Sequence, residues 1–530
     1  IGTSYKHARG LDRQWDAIVI GSGMGGLAAA AALAKVARKR VLVLERHYTA
    51  GGFTHTFRRP GYEWDVGVHY IGSVQRPGST MRRLFDFVSD GELQWADVGD
   101  VYDRIVIDDR EYEFVAGREA FRHTMHGHFP ADTEAIDRYL ELLREAFATT
   151  RGFYAEKASP GIVSAVAGSW MRRGLLTHAR RTTLEVMREL TDNPELIAVL
   201  TGQWGDYGLP PSQSSFFMHA LVAGHYLNGA GYPVGGSSRI AATVLPVIES
   251  RGGAVITNAE VRAIRIERGR AVGVEMADGS TFDAPVVVSN AGVVNTFTRL
   301  LPDDVGPADT LRKQASTVAP SIGHLSLYVG LKGTPEELGL GRANQWVYPS
   351  ADHDGNFARF LADPEQPLPL SYLSFAASKD PDFQRRFPGH STLEVITMAP
   401  WSWFAEWQDT TWKKRGAEYD QFKQRFVDRM LRVVYERCPG TEGAVDVAEL
   451  STPLSTRNFA NHGRGEIYGL AHTPDRFEQR WLRPKTPVPG LYLSGSDVAT
   501  AGVGGALMGG LLAATALVGP RVMQRAFRGD

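Results

Sequence analysis

The sequence predicts an α/β fold in which a discontinuous Rossmann-type nucleotide-binding domain carries an inserted, mixed α+β domain. Two glycine-rich turns, at residues 21–26 and 502–505, each follow a short apolar stretch and open a helix of small apolar residues. A third block, residues 232–292, reads as a helix followed by several strands. We therefore expect a nucleotide-binding domain built from residues 1–75, 232–300 and 485–530, and an inserted domain built from residues 76–231 and 301–484.

Composition excludes several classes of protein. The 530 residues are 43% hydrophobic and 22% charged with a net charge of −1, so nothing favours nucleic acid as a partner. The single cysteine, Cys438, rules out an intramolecular disulfide and a multi-thiolate metal site, and we predict no metal. The longest apolar stretch, residues 504–519, is shorter than the roughly 18 to 20 residues that span a bilayer. We expect a cytoplasmic protein, with membrane association and oligomeric state left open.

The first glycine turn has the pattern G-x-G-x-x-G between a predicted strand, residues 16–20, and a predicted helix, residues 27–37. Glycines in this pattern permit a tight turn, a close approach to a pyrophosphate and tight packing of helix on strand. A second strand, residues 40–44, ends at Glu45, whose carboxylate can accept hydrogen bonds from ribose hydroxyls. The predicted nucleotide contacts here are Gly21, Ser22, Gly23, Gly25, Gly26 and Glu45.

A further glycine turn follows the acid and distinguishes between dinucleotides. Residues 50–54 read Ala-Gly-Gly-Phe-Thr, an element that dehydrogenases using only NAD do not usually need. FAD is therefore preferred over NAD, with a plain surface turn as the alternative. The predicted cofactor contacts of this segment are Arg46, Gly51, Gly52, Phe53 and Thr54.

The run from Glu45 to Gly52, followed by Asp65-x-Gly67-x-His69-Tyr70-x-Gly72, resembles the superfamily of phytoene desaturases, carotenoid isomerases and retinol saturases. The retinol saturase branch is the most similar, and the resemblance covers nearly the whole chain, diluted between residues 78 and 220. It implies an FAD-dependent oxidoreductase acting on carbon–carbon double bonds of an apolar, polyene-like substrate, with saturation favoured. Desaturation or isomerisation is the runner-up, an amine oxidase relation is weaker, and a flavin- and lipid-binding protein without turnover is the alternative of another class.

The same resemblance implies cofactor contacts later in the chain. The backbone near Val261 would meet the adenine, and Asn290 closes that block of strands. Gly495 and Asp497 follow a predicted strand, and Asp497 would bond to ribitol or pyrophosphate-linked oxygens. The helix that begins near Gly502, Val503 and Gly504 would stabilise negative charge at the flavin N1 and C2 carbonyl.

The flavin itself must carry the difficult chemical step, because no recognisable nucleophile–base pair is present. No second strand-linked G-x-G-x-x-G is evident either, so the electron donor or acceptor stays open. His69 and Tyr70 are the predicted proton donors or positioning groups, with simple packing beside the flavin as an equal alternative. His55 is interpreted as part of the cofactor shell. Glu466 and Tyr468 are weaker candidates for facing the substrate.

Two further patterns concern an apolar substrate. The aromatic residues at 401–404 and 407, with Trp346 and Tyr348, are expected either to line a tunnel or to lie in the core. Residues 162–176 form an apolar stretch with Trp170, accompanied by Arg172, Arg173, Arg180 and Arg181. This stretch predicts either a helix that dips into a membrane or an exposed helix pair.

Overall fold

A computed structural model of the protein describes residues 1–159 and 161–530. The side chains of Ile162 and Ala165, both within the predicted apolar stretch, lie outside the described part. A six-stranded parallel sheet (the parallel sheet) forms the centre of the nucleotide-binding half, and its sheet order is Thr3–Ser4, Ala254–Thr257, Val41–Leu44, Ala17–Ile20, Val287–Ser289 and Leu491–Leu493. Strands such as Ala17–Ile20 and Val41–Leu44 are apolar throughout because both faces of the sheet are covered.

Small residues let two helices pack very closely on one face of the parallel sheet. The helix Met24–Ala37 contains eight consecutive buried alanine or leucine positions, residues 27–34, and lies against the helix Gly502–Val518. A Cβ atom added at Gly510 would lie only 2.2 Å from the carbonyl oxygen of Gly25, so a larger residue is excluded there. The same hydrophobic cluster includes residues from the helices Thr80–Ser89, Arg239–Glu249 and Arg521–Arg528.

The opposite face of the parallel sheet is covered by a small antiparallel sheet, whose strands are Val261–Glu267, Arg270–Met276 and Thr281–Asp283. The π-helix Thr296–Leu300 and the helix Ala308–Ala315 complete this cluster. The parallel sheet thus combines strands from residues 3–44, 254–289 and 491–493, which confirms a discontinuous Rossmann-type α/β fold. The domain limits given above stay a prediction.

A seven-stranded sheet (the mixed sheet) lies in the inserted half, and its order is Val445–Ser451, Gly323–Lys332, His390–Ala399, Ser371–Ser374, Asn344–Tyr348, Val101–Ile107 and Arg110–Val115. All neighbours are antiparallel except Asn344–Tyr348 and Val101–Ile107, which pair in parallel. The predicted strands at 322–331 and 392–399 are confirmed within two residues. The predicted helix at 416–438 is observed as Ala417–Arg437 and packs behind the mixed sheet.

Helices between the two sheets enclose the interior of the inserted half. They are Arg118–His128, Thr133–Ala148, Thr150–Ala158, Gly161–Ala179, Thr183–Leu190, Pro194–Leu200 and Phe216–Tyr226. Their buried side chains form one hydrophobic cluster with Ile105, Trp346 and Tyr372 of the mixed sheet. Shorter helices follow at His353–Ala362, Ala376–Lys379, Phe383–Arg386, Pro453–Ala460 and Pro474–Glu478.

Two small strand pairings join the halves. The hairpin of Thr56–Arg59 and Tyr62–Asp65 follows the second glycine turn. A three-stranded antiparallel sheet then combines Ile71–Gly72, Ala230–Pro233 and Trp95–Asp97. Residues 65–72 run from the end of the hairpin to the first strand of the three-stranded sheet, so both pairings fix this segment. Within residues 1–159 and 161–530, no helix combines the length and the apolarity that crossing a bilayer requires.

Candidate functional site

The first glycine turn presents the start of a helix to a large cavity. Gly21 has a φ of 91°, a left-handed value that favours glycine, and Gly23 caps the helix without any side-chain hydrogen bond. The first backbone N–H groups of the helix are therefore free to bind an anion. Gly21, Gly23 and Gly25 line the cavity, whereas Ser22 and Gly26 are buried behind its wall. A Cβ atom at Gly26 would lie 2.1 Å from the carbonyl oxygen of Gly21, so this glycine shapes the turn.

Glu45 ties the two N-terminal glycine turns together. Its Oε2 accepts hydrogen bonds from the Ser22 backbone N–H at 2.9 Å and from the Ser22 hydroxyl at 2.8 Å. The Ser22 Oγ in turn accepts a hydrogen bond from the Gly51 N–H at 3.1 Å. Glu45 also lines the cavity, so its carboxylate is both fixed by the protein and accessible to a ligand. This geometry fits the predicted role toward ribose hydroxyls, with Ser22 acting through Glu45.

The second glycine turn packs directly on the first. A Cβ atom at Gly52, whose φ is 57°, would lie 2.8 Å from the Cα of Gly23. Thr54 closes the turn by donating its hydroxyl hydrogen to the Gly51 carbonyl at 2.9 Å. Arg46, Gly51, Gly52, Phe53 and Thr54 all lie on the cavity wall, as does His55, whose imidazole lies 2.6 Å from the Gly52 carbonyl oxygen.

The C-terminal segments complete the same wall. Asp497 accepts hydrogen bonds from the backbone N–H groups of Val293, at 2.9 Å, and Leu470, at 3.1 Å. Asp497 therefore joins three distant segments of the chain, a role that the sequence pattern did not indicate. The helix Gly502–Val518 begins without a side-chain cap, so its first N–H groups are also free. The predicted contacts on this side of the cavity are all on its wall: Val261, Asn290, Gly495, Asp497, Gly502, Val503 and Gly504.

The cavity extends well beyond the glycine turns and has a volume of about 1920 Å³. Pockets that bind one drug-sized ligand usually measure roughly 300 to 1000 Å³, so this one has room for a dinucleotide and a second molecule. Its far part, here called the apolar chamber, is lined by Met218, Leu221, Val222, Tyr226, Trp346, Leu370, Tyr372, Ile396 and Met398. The cavity therefore links a phosphate-binding wall to an apolar one.

The aromatic residues divide between the two alternatives that the sequence left open, a tunnel wall and the core. Trp346 lines the apolar chamber, with its ring 4.3 Å from that of Tyr372. Tyr348 is buried and donates a hydrogen bond to the Gly202 carbonyl. Phe404 is buried in the core behind the mixed sheet, and the half-buried Trp401, Trp403 and Trp407 pack against that core. The rings of Trp403, Phe404 and Trp407 contact those of Phe360, Phe422 and Phe426. The tunnel interpretation of residues 401–407 is therefore wrong, because these rings fill the space between sheet and helix.

His69 and Tyr70 both lie on the cavity wall. The His69 Nδ1 lies 2.8 Å from Oε2 of Glu394, and burial lowers the pKa of His69 to about 3, so its ring is neutral. The Tyr70 hydroxyl donates to Oδ2 of Asp103 at 2.8 Å, and its ring stacks on Tyr226 with centroids 4.1 Å apart. Burial raises the pKa of Tyr70 well above its ordinary value. Neither group is thus a strong acid at neutral pH.

A buried polar network behind these two residues was not predicted. The Lys379 Nζ donates to the His69 carbonyl at 2.9 Å and to the Ser374 hydroxyl at 2.9 Å. Asn344 accepts from Lys379 and donates to Asp103 at 3.1 Å. Asp103 and Glu394 each lie within an otherwise largely apolar strand, and such a charged residue is the one sequence signal that could have revealed the network.

Three other residues also complete the wall. Tyr468 lines the cavity and donates its hydroxyl hydrogen to the Gly205 carbonyl at 2.9 Å. Glu466 lines it too, and its carboxylate accepts from the Arg464 N–H at 2.8 Å. Asp206, which sequence reasoning missed because no motif surrounds it, lies on the wall beside Gly205. No group of three or more His, Cys, Asp or Glu side chains in the described residues is arranged to hold a metal ion.

The site combines three features: helix starts with free N–H groups, a buried acid between glycine turns, and an adjoining apolar chamber. Together they define a dinucleotide-binding flavoprotein. The chain belongs to the family of flavin-containing amine oxidoreductases, which residues 24–518 match, and within it to the group of all-trans-retinol 13,14-reductases. The human all-trans-retinol 13,14-reductase is 37% identical over 533 residues, covering 96% of this chain and 87% of that protein. Prolycopene isomerase 2 of an Oncidium hybrid cultivar is 26% identical, covering 86% and 75% of the two chains.

Solved structures share the fold. An oxidoreductase from Methanosarcina mazei superimposes with a TM-score of 0.63 at 18% identity, covering 94% of this chain and 99% of its own. The protein is therefore an FAD-dependent oxidoreductase, and the predicted cofactor and the resemblance to retinol saturases are confirmed. The roles of the individual wall residues stay predictions.

Proposed function

We propose that the protein saturates a carbon–carbon double bond of an elongated apolar polyene, for which all-trans-retinol is the natural probe. The main support for this function is that the cavity is continuous, because the glycine turns and the apolar chamber share one wall. The reductase named in the human relative acts on such a molecule, and that relative is more similar to this chain than the isomerase. Chamber residues such as Met218, Leu370 and Ile396 offer flexible and branched apolar surface to a polyene.

The glycine cradle fits FAD on steric grounds. At Gly23, Gly25 and Gly52 an added Cβ atom would lie within 3.0 Å of a neighbouring atom, so the cradle leaves room for backbone alone. We propose that the helix start at Gly23 and the turn at Gly51 hold the phosphates, and that Glu45 holds a ribose. When bound, reduced FAD supplies a hydride to one carbon of the double bond. His69 and Tyr70 would orient the substrate as neutral groups on the wall.

Anaerobic titration tests this function. The holoprotein is reduced with one equivalent of dithionite and mixed with all-trans-retinol while the flavin absorbance is followed. We expect the oxidised flavin spectrum to return and the product to contain two more hydrogens. Bleaching of the oxidised protein by a dihydro-polyene would indicate a desaturase, and a product of unchanged mass would indicate an isomerase. Retinol binding without any flavin response would identify a non-catalytic flavin- and lipid-binding protein.

We also propose that one face of the molecule contacts a lipid surface, from which an apolar substrate enters. Val163, Val166 and Trp170 of the helix Gly161–Ala179 are 45%, 84% and 79% exposed, with spacings that place them along one stripe. The adjoining helix Thr150–Ala158 packs on this helix and lines the cavity with Tyr154, Ala155 and Ala158. The helix that carries the stripe therefore packs directly on a helix of the cavity wall.

The arginines contribute differently from the sequence interpretation. Arg172 is 3% exposed and donates to the Phe477 carbonyl, so it cannot reach a headgroup. Arg180 and Arg181 are paired with Glu478 and Glu189. Replacing Val166 and Trp170 with serine should reduce cosedimentation with phosphatidylcholine vesicles, whereas the control Val294→Ser, an exposed valine outside the stripe, should not. Equal binding of all variants would contradict the proposed contact.

A further inference from the structure

Saturation of a double bond requires an acid as well as a hydride, and this inference rests on the proposed function. The predicted donors do not supply that acid. Burial lowers the pKa of His69 to about 3 and that of His324 to about 4, so both rings are neutral at pH 7 and carry no proton that they release readily. The phenol of Tyr70 has its pKa raised well above the ordinary value and is a poor acid.

Asp206 places a carboxyl group at the edge of the apolar chamber. It lines the cavity next to Gly205, where an added Cβ would lie 2.5 Å from the ring of Trp346. Its Oδ2 is buried and has no hydrogen-bond partner among the residues that the structure describes. A buried carboxylate oxygen without a donor is costly, whereas a protonated carboxyl can present its hydrogen to a ligand in the cavity.

Burial and a neighbouring carboxyl group together explain why Asp206 holds the proton. Asp103 is fully buried and accepts three hydrogen bonds, from Tyr70 at 2.8 Å, Gln203 at 2.7 Å and Asn344 at 3.1 Å. Burial raises the pKa of Asp103 to about 6, and these donors limit that rise because they stabilise its negative charge, so Asp103 is mostly ionised at pH 7. Burial raises the pKa of Asp206 well above its ordinary value, and the charge on Asp103 adds to this rise because it disfavours a second charge nearby.

The remaining neighbours of Asp206 do not supply a compensating positive charge. The groups that influence its carboxyl are Asp103 and the Tyr70 hydroxyl, and Asp206 in turn influences the phenols of Tyr226, Tyr372 and Tyr468. All four phenols are neutral because burial raises the pKa of each. Lys379 lies behind His69 and Asn344, and it is not among the groups that influence the carboxyl of Asp206.

We propose that Asp206 is the catalytic acid that protonates the second carbon of the double bond, and that Tyr70 and Asp103 are its positioning residues. The balance is simple: the π bond is replaced by two C–H bonds, one formed with a hydride and one with the Asp206 proton. Asp206 is left as a carboxylate and regains a proton from water before the next turnover. The two electrons of the hydride come from an external donor through the cofactor, and dithionite is that donor in the test.

The decisive variant is Asp206→Asn, which keeps the size of the side chain and removes the acidic proton. We expect the variant to match the wild type in FAD content and in retinol binding, measured as quenching of the protein fluorescence by all-trans-retinol. The rate at which retinol reoxidises its dithionite-reduced flavin should fall by about 10²- to 10⁴-fold, the usual contribution of a general acid. Asp354→Asn, an aspartate outside the cavity that accepts a bond from the Ser212 N–H, is the matched control and should leave the rate unchanged.

Two further readouts separate an acid from a structural residue. The infrared difference spectrum of wild type minus Asp206→Asn at pH 7 should contain a protonated-carboxyl band. The wild-type rate should fall as pH rises through the pKa of the acid, and the variant should lack this limb. Should Asp206→Asn not fold, Asp206→Glu is expected to keep the pH limb with a smaller rate loss.

The outcomes are distinct. Equal reoxidation rates for wild type and Asp206→Asn, or a carboxylate band in the difference spectrum, would overturn the assignment of Asp206 while leaving the proposed function intact. If no polyene reoxidises the reduced flavin of the wild-type protein, the proposed function itself is overturned. A product that carries deuterium at both carbons in D2O, formed slowly by Asp206→Asn, supports both, because dithionite supplies only electrons and both added hydrogens come from the solvent.

Discussion

The substitution Gly25→Ala tests whether the glycine turns form one cradle. Gly25 lies in the first turn of the helix Met24–Ala37, and its surroundings belong to distant segments. An added Cβ would lie 2.5 Å from the Cα of Gly495 and 2.6 Å from Oδ1 of Asn290. The first of these neighbours is backbone and cannot rotate away, so the helix start and the C-terminal segment must separate.

The magnitude follows from two opposing effects. Overpacking costs roughly 1 to 3 kcal/mol, and a contact with backbone belongs near the top of that range. Alanine gains up to about 1 kcal/mol over glycine in a helix, which leaves a net loss of about 2 kcal/mol. If the apoprotein relaxes by moving the turn, FAD must restore it on binding, and about 2 kcal/mol corresponds to a Kd roughly 30-fold higher. Gly127→Ala is the matched control, because this helical glycine has nothing within 4 Å of its Cβ position.

FAD binding to apoprotein, measured by titration calorimetry, gives the comparison directly, and urea denaturation gives the free energy of unfolding. We expect weaker FAD binding for Gly25→Ala and unchanged binding with slightly higher stability for Gly127→Ala. Wild-type affinity in Gly25→Ala would show that the turn does not contact the cofactor as the cradle requires, and the reasoning from Cβ distances would fail.

Three further changes test the wall and the network. Glu45→Gln should lower FAD affinity, seen as lower flavin content after purification, because one charged acceptor for Ser22 and ribose is lost; Glu260→Gln, also on the wall, is its control. Tyr70→Phe removes a donor from Asp103 and should lower the free energy of unfolding by about 1 to 3 kcal/mol in urea denaturation; an unchanged value would contradict the hydrogen bond. Burial raises the pKa of Asp65 to about 6, so the folded chain binds this proton more tightly than the unfolded chain. Stability should therefore fall as pH rises from about 4 to about 6, and Asp65→Asn should flatten that part of the urea-denaturation profile.

Local sequence determined the nucleotide-binding half well. The turn at Gly21 needs a left-handed φ, the following helix needs small residues, and the strand Ala17–Ile20 is apolar on both faces. Each of these elements can therefore be predicted from its own residues alone. The predicted strand at 40–44 and the predicted helix at 239–250 agree with Val41–Leu44 and Arg239–Glu249 within one residue. These elements therefore form at the positions that their short-range hydrophobic patterns predict.

The far part of the cavity was less predictable because it depends on contacts between distant elements. An aromatic run such as Trp401 and Trp403 has the same composition whether it faces a ligand or a core, and only the helix Ala417–Arg437 packed on it decides the matter. Asp206 lies in a short 3-10 turn without a motif, and the role proposed for it depends on Asp103, which lies about a hundred positions earlier in the chain. Pairwise proximity of this kind leaves no periodic trace in one sequence.

The network behind the wall connects the residues singled out by sequence with those that were not. Lys379 binds the His69 carbonyl and Asn344, and Asn344 binds Asp103, which accepts from Tyr70. Because these groups are buried, each depends on the others for its hydrogen bonds, and removing one leaves a partner unsatisfied. The positions of the His69 and Tyr70 side chains and the charge on Asp103 are therefore coupled. It follows that a substitution of His69 or Tyr70 that abolishes activity does not identify either residue as the proton donor. The donor must be recognised by the fall in rate as pH rises through its pKa.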